Sequence, residues 1–499
     1  MTVRARSLRE VAFSGVAALL TMLVSSTISD PDLWGHLRFG TDMLRSWHVA
    51  TRDPYSFTSD ITWVNHEWLS EVVLAAVYLP FGALGLNLLK LAIIGTVAWM
   101  MWRLATRAGA TFLSAGVFTA LIVVATYTRT QSLRPQLFSV LLFVLLLTLI
   151  NRAERDDREP VLETAVLFCC WANMHGGWIV GLATLGVWSV FRPRRIVLVI
   201  VAASATLINP YGIGLWKFIY DTVGLARPDI SDWKPLFTLP PPIIALECAL
   251  PLVALVSTIK TRRWPPISHV AIVASLAFAT VRIGRTDAFL QLAVGWFGAP
   301  AIFEWSNRID ARTLPSGRMR QRRQLNGYIA AGILAGAMAF AIVRVGRISI
   351  EGDWTPDAAA LTFIREHASQ SRVLTWFDWG EYAIWHLADS GVRVSMDGRR
   401  ETVYSDRVIR DHFAFYGNSQ PDVWQYPDRI GADAIWLPRR LPVTTVLPSH
   451  GWRPVFTTDK SIVFSRDKVD DGVRHPQIVS DTGSGTRIAK TAAASPAFP

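Results

Sequence analysis

The sequence predicts a mainly α protein: a polytopic membrane helix bundle of about eleven spans, followed by a small extracytoplasmic α/β domain. Three observations carry that expectation. Of the 499 residues, 51% are hydrophobic and only 18% charged, whereas a soluble chain carries about 25% charged residues. Apolar windows long enough to cross, or nearly cross, ~30 Å of hydrocarbon recur along the first 346 residues. Lys and Arg alternate between rich and poor connections, the pattern of the positive-inside rule. A formal charge of +11 would by itself suit nucleic acid, but the arginines sit in short runs between apolar segments, which is a membrane-topology pattern.

The windows lie near 10–28, 83–105, 112–127, 134–151, 160–174, 177–191, 195–208, 242–259, 267–281, 287–305 and 326–345. The first is too long for a signal peptide and lacks a small-residue cleavage site, so it reads as a retained anchor. Arg4, Arg6 and Arg9 place the N-terminus inside. Every later inside loop is then basic: Arg103 and Arg107; Arg152, Arg155 and Arg158; Arg192, Arg194 and Arg195; Lys260, Arg262 and Arg263; and a run from Arg308 to Arg323. That register requires 67–80 to lie on the outer surface as an interfacial helix. It leaves 29–82, 127–134, 174–178, 209–241, 282–286 and everything after 346 on the extracytoplasmic side, and the chain in a bacterial inner membrane in contact with membrane lipids.

Three domains follow: 1–346 in the membrane, including the external loop 29–82; 347–467 as a soluble α/β domain; and 468–499 as a tail. In the second, apolar runs at Val373–Trp376, Val392–Met396, Ala434–Leu437 and Ser461–Phe464 read as strands between helical or turn-rich stretches. The tail is polar and rich in small residues, a composition that cannot bury a core and predicts disorder. Cys169, Cys170 and Cys248 fall in apolar segments and read as buried free thiols.

The first external loop concentrates ionisable groups. It reads SDPDLWGHLRFGTDML from Ser29 and RDPYSFTSDITWVNHEWLSE from Arg52, bringing Asp30, Asp32, His36, Arg38, Asp53, His66 and Glu67 into one segment. On a helix Asp32 and His36 share a face at i,i+4. They read either as a base with its orienting partner or as two ligands of a divalent cation such as Mg or Mn; alternatively, Asp30 and Asp32 cap the helix. Farther along, Arg129 and Arg134 in YTRTQSLRPQ, and Arg282 and Arg285 in VRIGRTD, stand at outer span ends where topology predicts few cations. They suit a phosphate or pyrophosphate, or else snorkel to ordinary headgroups. His175, in NMHGG, breaks a helical hairpin at membrane depth and is expected to line a wet or protein-buried cavity. Asn209–Gly212 reads as a turn, and Asp397–Arg399 as a strand-ending turn.

The loop resembles the first external loop of GT-C superfamily glycosyltransferases, with Asp32 at the acidic position and DLWGHLR similar to the oligosaccharyltransferase catalytic subunit. Where aminoarabinose and protein mannosyl transferases carry Lys-Pro-Pro, this chain has His66-Glu67. WFDWGEY, from Trp376 to Tyr382, is similar to the Trp-Trp-Asp-Tyr-Gly signature of oligosaccharyltransferase, with Phe377 and Trp379 in place of Trp and Tyr. The set DLWGHL, HEWL, RPQLF, NMHGG and NPYG is also similar to one shared by a widespread group of bacterial membrane proteins.

The resemblance implies transfer of a sugar from a polyprenyl-linked donor to an extracytoplasmic glycan, lipid or protein acceptor. It implies Asp32 as the catalytic carboxylate or metal holder and Glu67 as a second carboxylate. His36, Arg38, Asp53, His66, Arg129, Arg134, His175, Arg282, Arg285, Trp376 and Asp378 are the expected substrate contacts. Two other classes stay open: a transporter or flippase, which would place polar residues at mid-depth in several spans, and a scaffold of cell-envelope polysaccharide assembly with an inactive site.

Overall fold

The computed structural model describes residues 14–15, 17–18, 20–25, 27–223, 233–312, 321–350 and 352–466. Arg4, Arg6 and Arg9, Arg318 and Arg320 of the basic run, and the tail from 468 lie outside them. Mainly helical with some sheet, the chain forms two compact units that do not follow chain order. The first comprises Met1–Ile28, Leu44–Val49 and His66–Ile348; the second comprises Ser29–Met43, Ala50–Asn65 and Ser349–Pro499. Most of the external loop therefore groups with the residues after 349, whereas His66 and Glu67 group with the helices.

In order along the chain, α1 is Leu33–Ser46 and α2 Trp68–Arg107; α3 (Phe112–Ala125), α4 (Gln136–Asp156), α5 (Val161–Met174), α6 (Trp178–Ser189), α7 (Ile196–Ala205) and α8 (Ile213–Val223) follow. Then come α9 (Pro241–Thr261), α10 (Ile267–Arg282), α11 (Asp287–Arg312) and α12 (Gln321–Val345). Helices α2, α4 and α9 are long and apolar enough to cross a membrane; α3, α5, α6, α10 and the Gly332–Val345 part of α12 are apolar but shorter. At 1.5 Å per residue, the 14-residue α5 and 12-residue α6 reach only ~18–21 Å. The window 10–28 lies partly outside the described residues; the others recur as helices, and α5 and α6, separated by the Gly176-Gly177 turn, fall short of a full crossing.

Helix α2 joins two sequence segments across a kink. Pro80 lacks a backbone N–H and Gly82 takes φ 55°, ψ −145°, a conformation open to glycine. The break divides the 67–80 segment from the 83–105 window. The core of this unit is apolar and aromatic, with Met101, Phe143, Trp171, Trp178 and Trp188 buried among residues of neighbouring helices. Where α9 and α11 cross, a Cβ on Gly298 would stand 3.0 Å from the Ala254 Cβ, a small-residue contact that lets backbones approach.

The second unit is built on a mixed sheet. Its strands are β1 (Arg372–Thr375), β2 (Arg393–Val394), β3 (Ala434–Pro438), β4 (Arg453–Thr457) and β5 (Ser461–Ser465), in the order β2-β1-β3-β5-β4. Strand β1 runs parallel to β2 and β3, while β5 runs antiparallel to β3 and β4. The four apolar runs coincide with β1, β2, β3 and β5; β4, whose side chains are mostly exposed or half-buried, offers no alternating apolar signal. Ser56 of the external loop bridges Val394 in parallel, and Val394 N–H donates to the Tyr55 carbonyl at 3.0 Å. Pairing covers an otherwise open edge.

Candidate functional site

The second unit assembles a group of acidic residues from α1, the WFDWGEY segment and the turn after β2. Asp30 caps α1: its Oδ1 accepts from Asp32 N–H at 3.1 Å and Leu33 N–H at 3.2 Å. The first helical bond joins His36 N–H to the Asp32 carbonyl at 3.0 Å, and His36 is buried. Two glycines make room for the carboxylates. A Cβ on Gly398 would fall onto Asp32 Oδ1 and lie 2.9 Å from Glu381 Oε1, and one on Gly35 would fall onto the Glu381 carboxylate. Asp32 and Glu381 therefore lie together against the bare Cα of Gly398, on ground that no larger residue leaves open.

Asp378 belongs to the same neighbourhood. Burial pushes its carboxyl up to about 6, the negative charge of Asp32 adds to the push, and Arg440 opposes it. Between about pH 4 and 6, Asp378 therefore holds a proton that an ordinary Asp has released. Around it, Trp376 stands edge-on to Trp379 at 5.5 Å and lies 4.6 Å from the Arg440 guanidinium. Gly380 is required at its position, because a Cβ there would stand 2.7 Å from the Asp397 Cα and run into the Met396 carbonyl. The aromatic segment is thus packed in place by backbone contact.

Other expected contacts are committed to ion pairs. Asp53 accepts from Arg399 Nη1 at 2.8 Å and Nη2 at 3.0 Å, and from Tyr55 N–H at 2.9 Å. Arg399 also donates to Asp397 through Nε at 2.8 Å and Nη2 at 2.7 Å, and Tyr404 O–H donates to Asp397 at 2.7 Å. The guanidinium lies 4.8 Å from the Phe39 ring and 4.7 Å from the Trp63 ring. Burial by itself would raise Asp397, but the Arg399 charge and the bonds from Arg399 and Tyr404 hold it below the ordinary carboxylate range. This hub ties loop residues 39–63 to the turn after β2. Arg38 is held similarly, by Asp42 at 2.7 Å and Asp389 at 2.8 Å.

The first unit carries a second cluster, rich in hydrogen-bond donors. Glu67 is the N-cap residue of α2, yet its side chain makes no capping bond. Its Oε1 lies 3.5 Å from His66 Nε2 and 3.7 Å from His175 Nε2. Arg285 Nη2 stands 3.5 Å from the same His175 nitrogen, and its guanidinium lies 5.8 Å from the Trp233 ring. His66 packs against Phe218 at 5.1 Å. The hairpin holding His175 is secured by Asn173, which accepts from Trp68 Nε1 at 2.7 Å and donates to the Ile208 carbonyl at 2.8 Å.

The four outer arginines separate by environment. Arg129 is buried and donates to Asp287 at 2.9, 3.0 and 3.1 Å. Arg282 lies 5.4 Å from the Phe278 ring, Arg134 is half-buried at the head of α4, and Arg285 joins the histidine cluster. Glu381, Gly35 and Ser139 were not singled out by sequence reasoning. Glu381 had a signal, one residue beyond Gly380 in WFDWGEY, whereas Ser139 sits in the apolar run of α4 and had none. Among the described residues, no group of three or more His, Cys, Asp or Glu is arranged to hold a metal ion.

No family model and no curated protein matches this chain, but solved structures do. The oligosaccharyltransferase of Archaeoglobus fulgidus, tethered to an acceptor peptide with an NVT sequon, superposes with a TM-score of 0.56 at 10% identity over 92% of this chain and 74% of that one. Its complex with an inhibitory peptide and a dolichol-phosphate gives 0.58 at 10% identity, covering 92% and 74%. ArnT from Cupriavidus metallidurans, bound to undecaprenyl phosphate, gives 0.51 at 12% identity over 91% and 97%. The chain shares its fold with these structures. The GT-C-like fold spans nearly the whole chain and agrees with what the external loop and the WFDWGEY segment implied.

Proposed function

We propose that this chain transfers a sugar from a polyprenyl phosphate or pyrophosphate donor to an acceptor on the extracytoplasmic side of a bacterial inner membrane. The observation that carries the reading is the setting of Asp32, whose carboxylate lies with Glu381 against Gly398. The GT-C-like fold supports the same class, since related folds are seen with dolichol-phosphate and undecaprenyl phosphate bound. In this reading the acceptor oxygen attacks the anomeric carbon, Asp32 takes the acceptor proton, and the bond from that carbon to the phosphate oxygen breaks.

In the first unit, Arg285 and His175, with His66 and Glu67 beside them, are the groups suited to a lipid phosphate; a guanidinium and an imidazole N–H suit phosphate oxygens. Arg129, already bidentate to Asp287, holds helices together in this reading. Two carboxylates, Asp32 and Glu381, are the residues to test for a divalent cation.

The test is transfer of labelled sugar from polyprenyl-linked donors in proteoliposomes, for the wild type and Asp32→Asn. Transfer that survives the substitution unchanged removes Asp32 from the chemistry. A folded wild-type protein that transfers from no donor turns the reading toward a scaffold.

A further inference from the structure

The ring of His175 sits among donors whose protons have fixed places. Trp171 Nε1–H donates to Ser139 Oγ at 2.7 Å, and an indole nitrogen can only donate. Gly177 N–H approaches His175 Nδ1 at 3.0 Å, and a backbone N–H can only donate as well. Nδ1 therefore bears a lone pair. Ser139 Oγ lies 2.7 Å from that same nitrogen, so the hydroxyl, whose oxygen accepts from the Trp171 N–H, directs its own proton at Nδ1. The ring proton is left on Nε2, the nitrogen that faces Arg285 at 3.5 Å and Glu67 at 3.7 Å.

The packing looks arranged for this. A Cβ on Gly177 would stand 2.5 Å from Ser139 Oγ and 3.0 Å from His175 Nδ1, so only glycine lets hydroxyl and ring meet. A Cβ on Gly181 would stand 2.5 Å from Trp171 Cζ3, which fixes the indole behind the serine. Ser139 and Trp171 are fully buried and His175 nearly so. The guanidinium N–H of Arg285 also points at Nε2, but at 3.5 Å, the long limit of a hydrogen bond, it is outweighed by the 2.7 and 3.0 Å contacts at Nδ1; with the proton on Nε2, Arg285 and His175 both offer donors to one anion.

We infer that Ser139 is a positioning residue: with Gly177 and Trp171 behind it, it holds His175 as the Nε2–H tautomer, a neutral donor that with Arg285 receives a phosphate monoester headgroup. The inference rests on the donor-phosphate role proposed above, but its central claim is readable without any sugar transfer. The experiment is ¹⁵N-histidine NMR of the full chain in nanodiscs, with His175 assigned by difference from His175→Asn. The wild type is expected to show a bare Nδ1 and a protonated Nε2; a protonated Nδ1 overturns the inference. Added polyprenyl phosphate should move the Nε2 resonance. Inorganic phosphate moving it equally would assign the site to free phosphate in place of a lipid headgroup and overturn the lipid part.

Ser139→Ala should lower the melting temperature modestly, because it strands the buried Trp171 N–H, remove the shorter bond to Nδ1 and weaken the polyprenyl phosphate response of the folded protein about tenfold, the scale of one hydrogen bond. Trp171→Phe, which keeps the ring against Gly181, should act in the same direction and less. An unaltered lipid response in both variants overturns the positioning role. If the NMR results hold and no donor supports transfer, the tautomer stands and the glycosyltransferase reading falls.

Discussion

The two units carry polar clusters of opposite character. In the second, Asp32 and Glu381 gather negative charge around a bare glycine, with Asp378 nearby; in the first, His66 and His175 lie beside the Glu67 carboxylate and Arg285 stands against His175. Each unit also contains a buried ion pair that spends its arginine on structure: Arg399 between Asp53 and Asp397, and Arg129 on Asp287. The difference teaches that an arginine's position in the sequence does not reveal its task, whereas its acceptors do. Substitutions in the acidic group should act on turnover, those in the donor group on affinity for the lipid phosphate, and those in the ion pairs on stability.

The largest effect belongs to the acidic group. Asp32→Asn should lower transfer by about 10²–10⁴-fold, the range of one general base, with an unchanged melting curve; a loss that tracks unfolding would break the contrast with the ion pairs. Next come the ion pairs themselves. Arg399→Met or Arg129→Met leaves a buried carboxylate uncompensated and should cost about 3–5 kcal/mol, read as a lower apparent melting temperature with the donor KM of surviving protein unaltered. A changed donor KM at normal stability would move Arg129 into the donor group. Third, Arg285→Gln should raise the donor KM by roughly tenfold or more, as expected for one charge-assisted bond, with kcat nearly preserved. The opposite split would place Arg285 with the chemistry.

Much of the helical layout was legible because apolar windows and basic loops are repeated signals that no local exception overturns. The α2 kink at Pro80 and Gly82 falls where the sequence separated the 67–80 surface segment from the 83–105 window. Strand β4 was not legible, because an edge strand exposes most of its side chains and loses its alternation. Asp32 was found through its spacing in DLWGHLR, but Glu381 came together with it only through the fold, over the missing side chains of Gly35 and Gly398. Likewise no local pattern tells that Asp53 and Arg399, 346 positions apart, answer each other's charge. Ser139 is the clearest case: one hydroxyl in an apolar helix reads as filler until an imidazole is seen 2.7 Å away.

The smallest expected effect sharpens the acidic side of the comparison through pH. Asp378 is raised from an ordinary 3.8 to about 6, so between about pH 4 and 6 the folded protein holds a proton that the unfolded chain has released. With more protons bound in the folded state, stability falls as pH rises across that window and is flat above it. Asn in place of Asp378 imitates the protonated form and should abolish this slope. Above pH 6 it should raise the apparent melting temperature by about 2–4 °C, the shift expected of roughly 1 kcal/mol, and below pH 4 it should change nothing. Asp397 predicts the reverse sign: held below its ordinary value by Arg399, it lends stability that is complete at neutral pH and lost as the pH falls through its folded value. Melting curves of the wild type, Asp378→Asn and Asp397→Asn from pH 3 to 8 therefore separate the two carboxylates. If Asp378→Asn lowers stability at every pH, as Asp397→Asn should at neutral pH, Asp378 is an ion-pair member and the raised carboxyl beside Asp32 is lost.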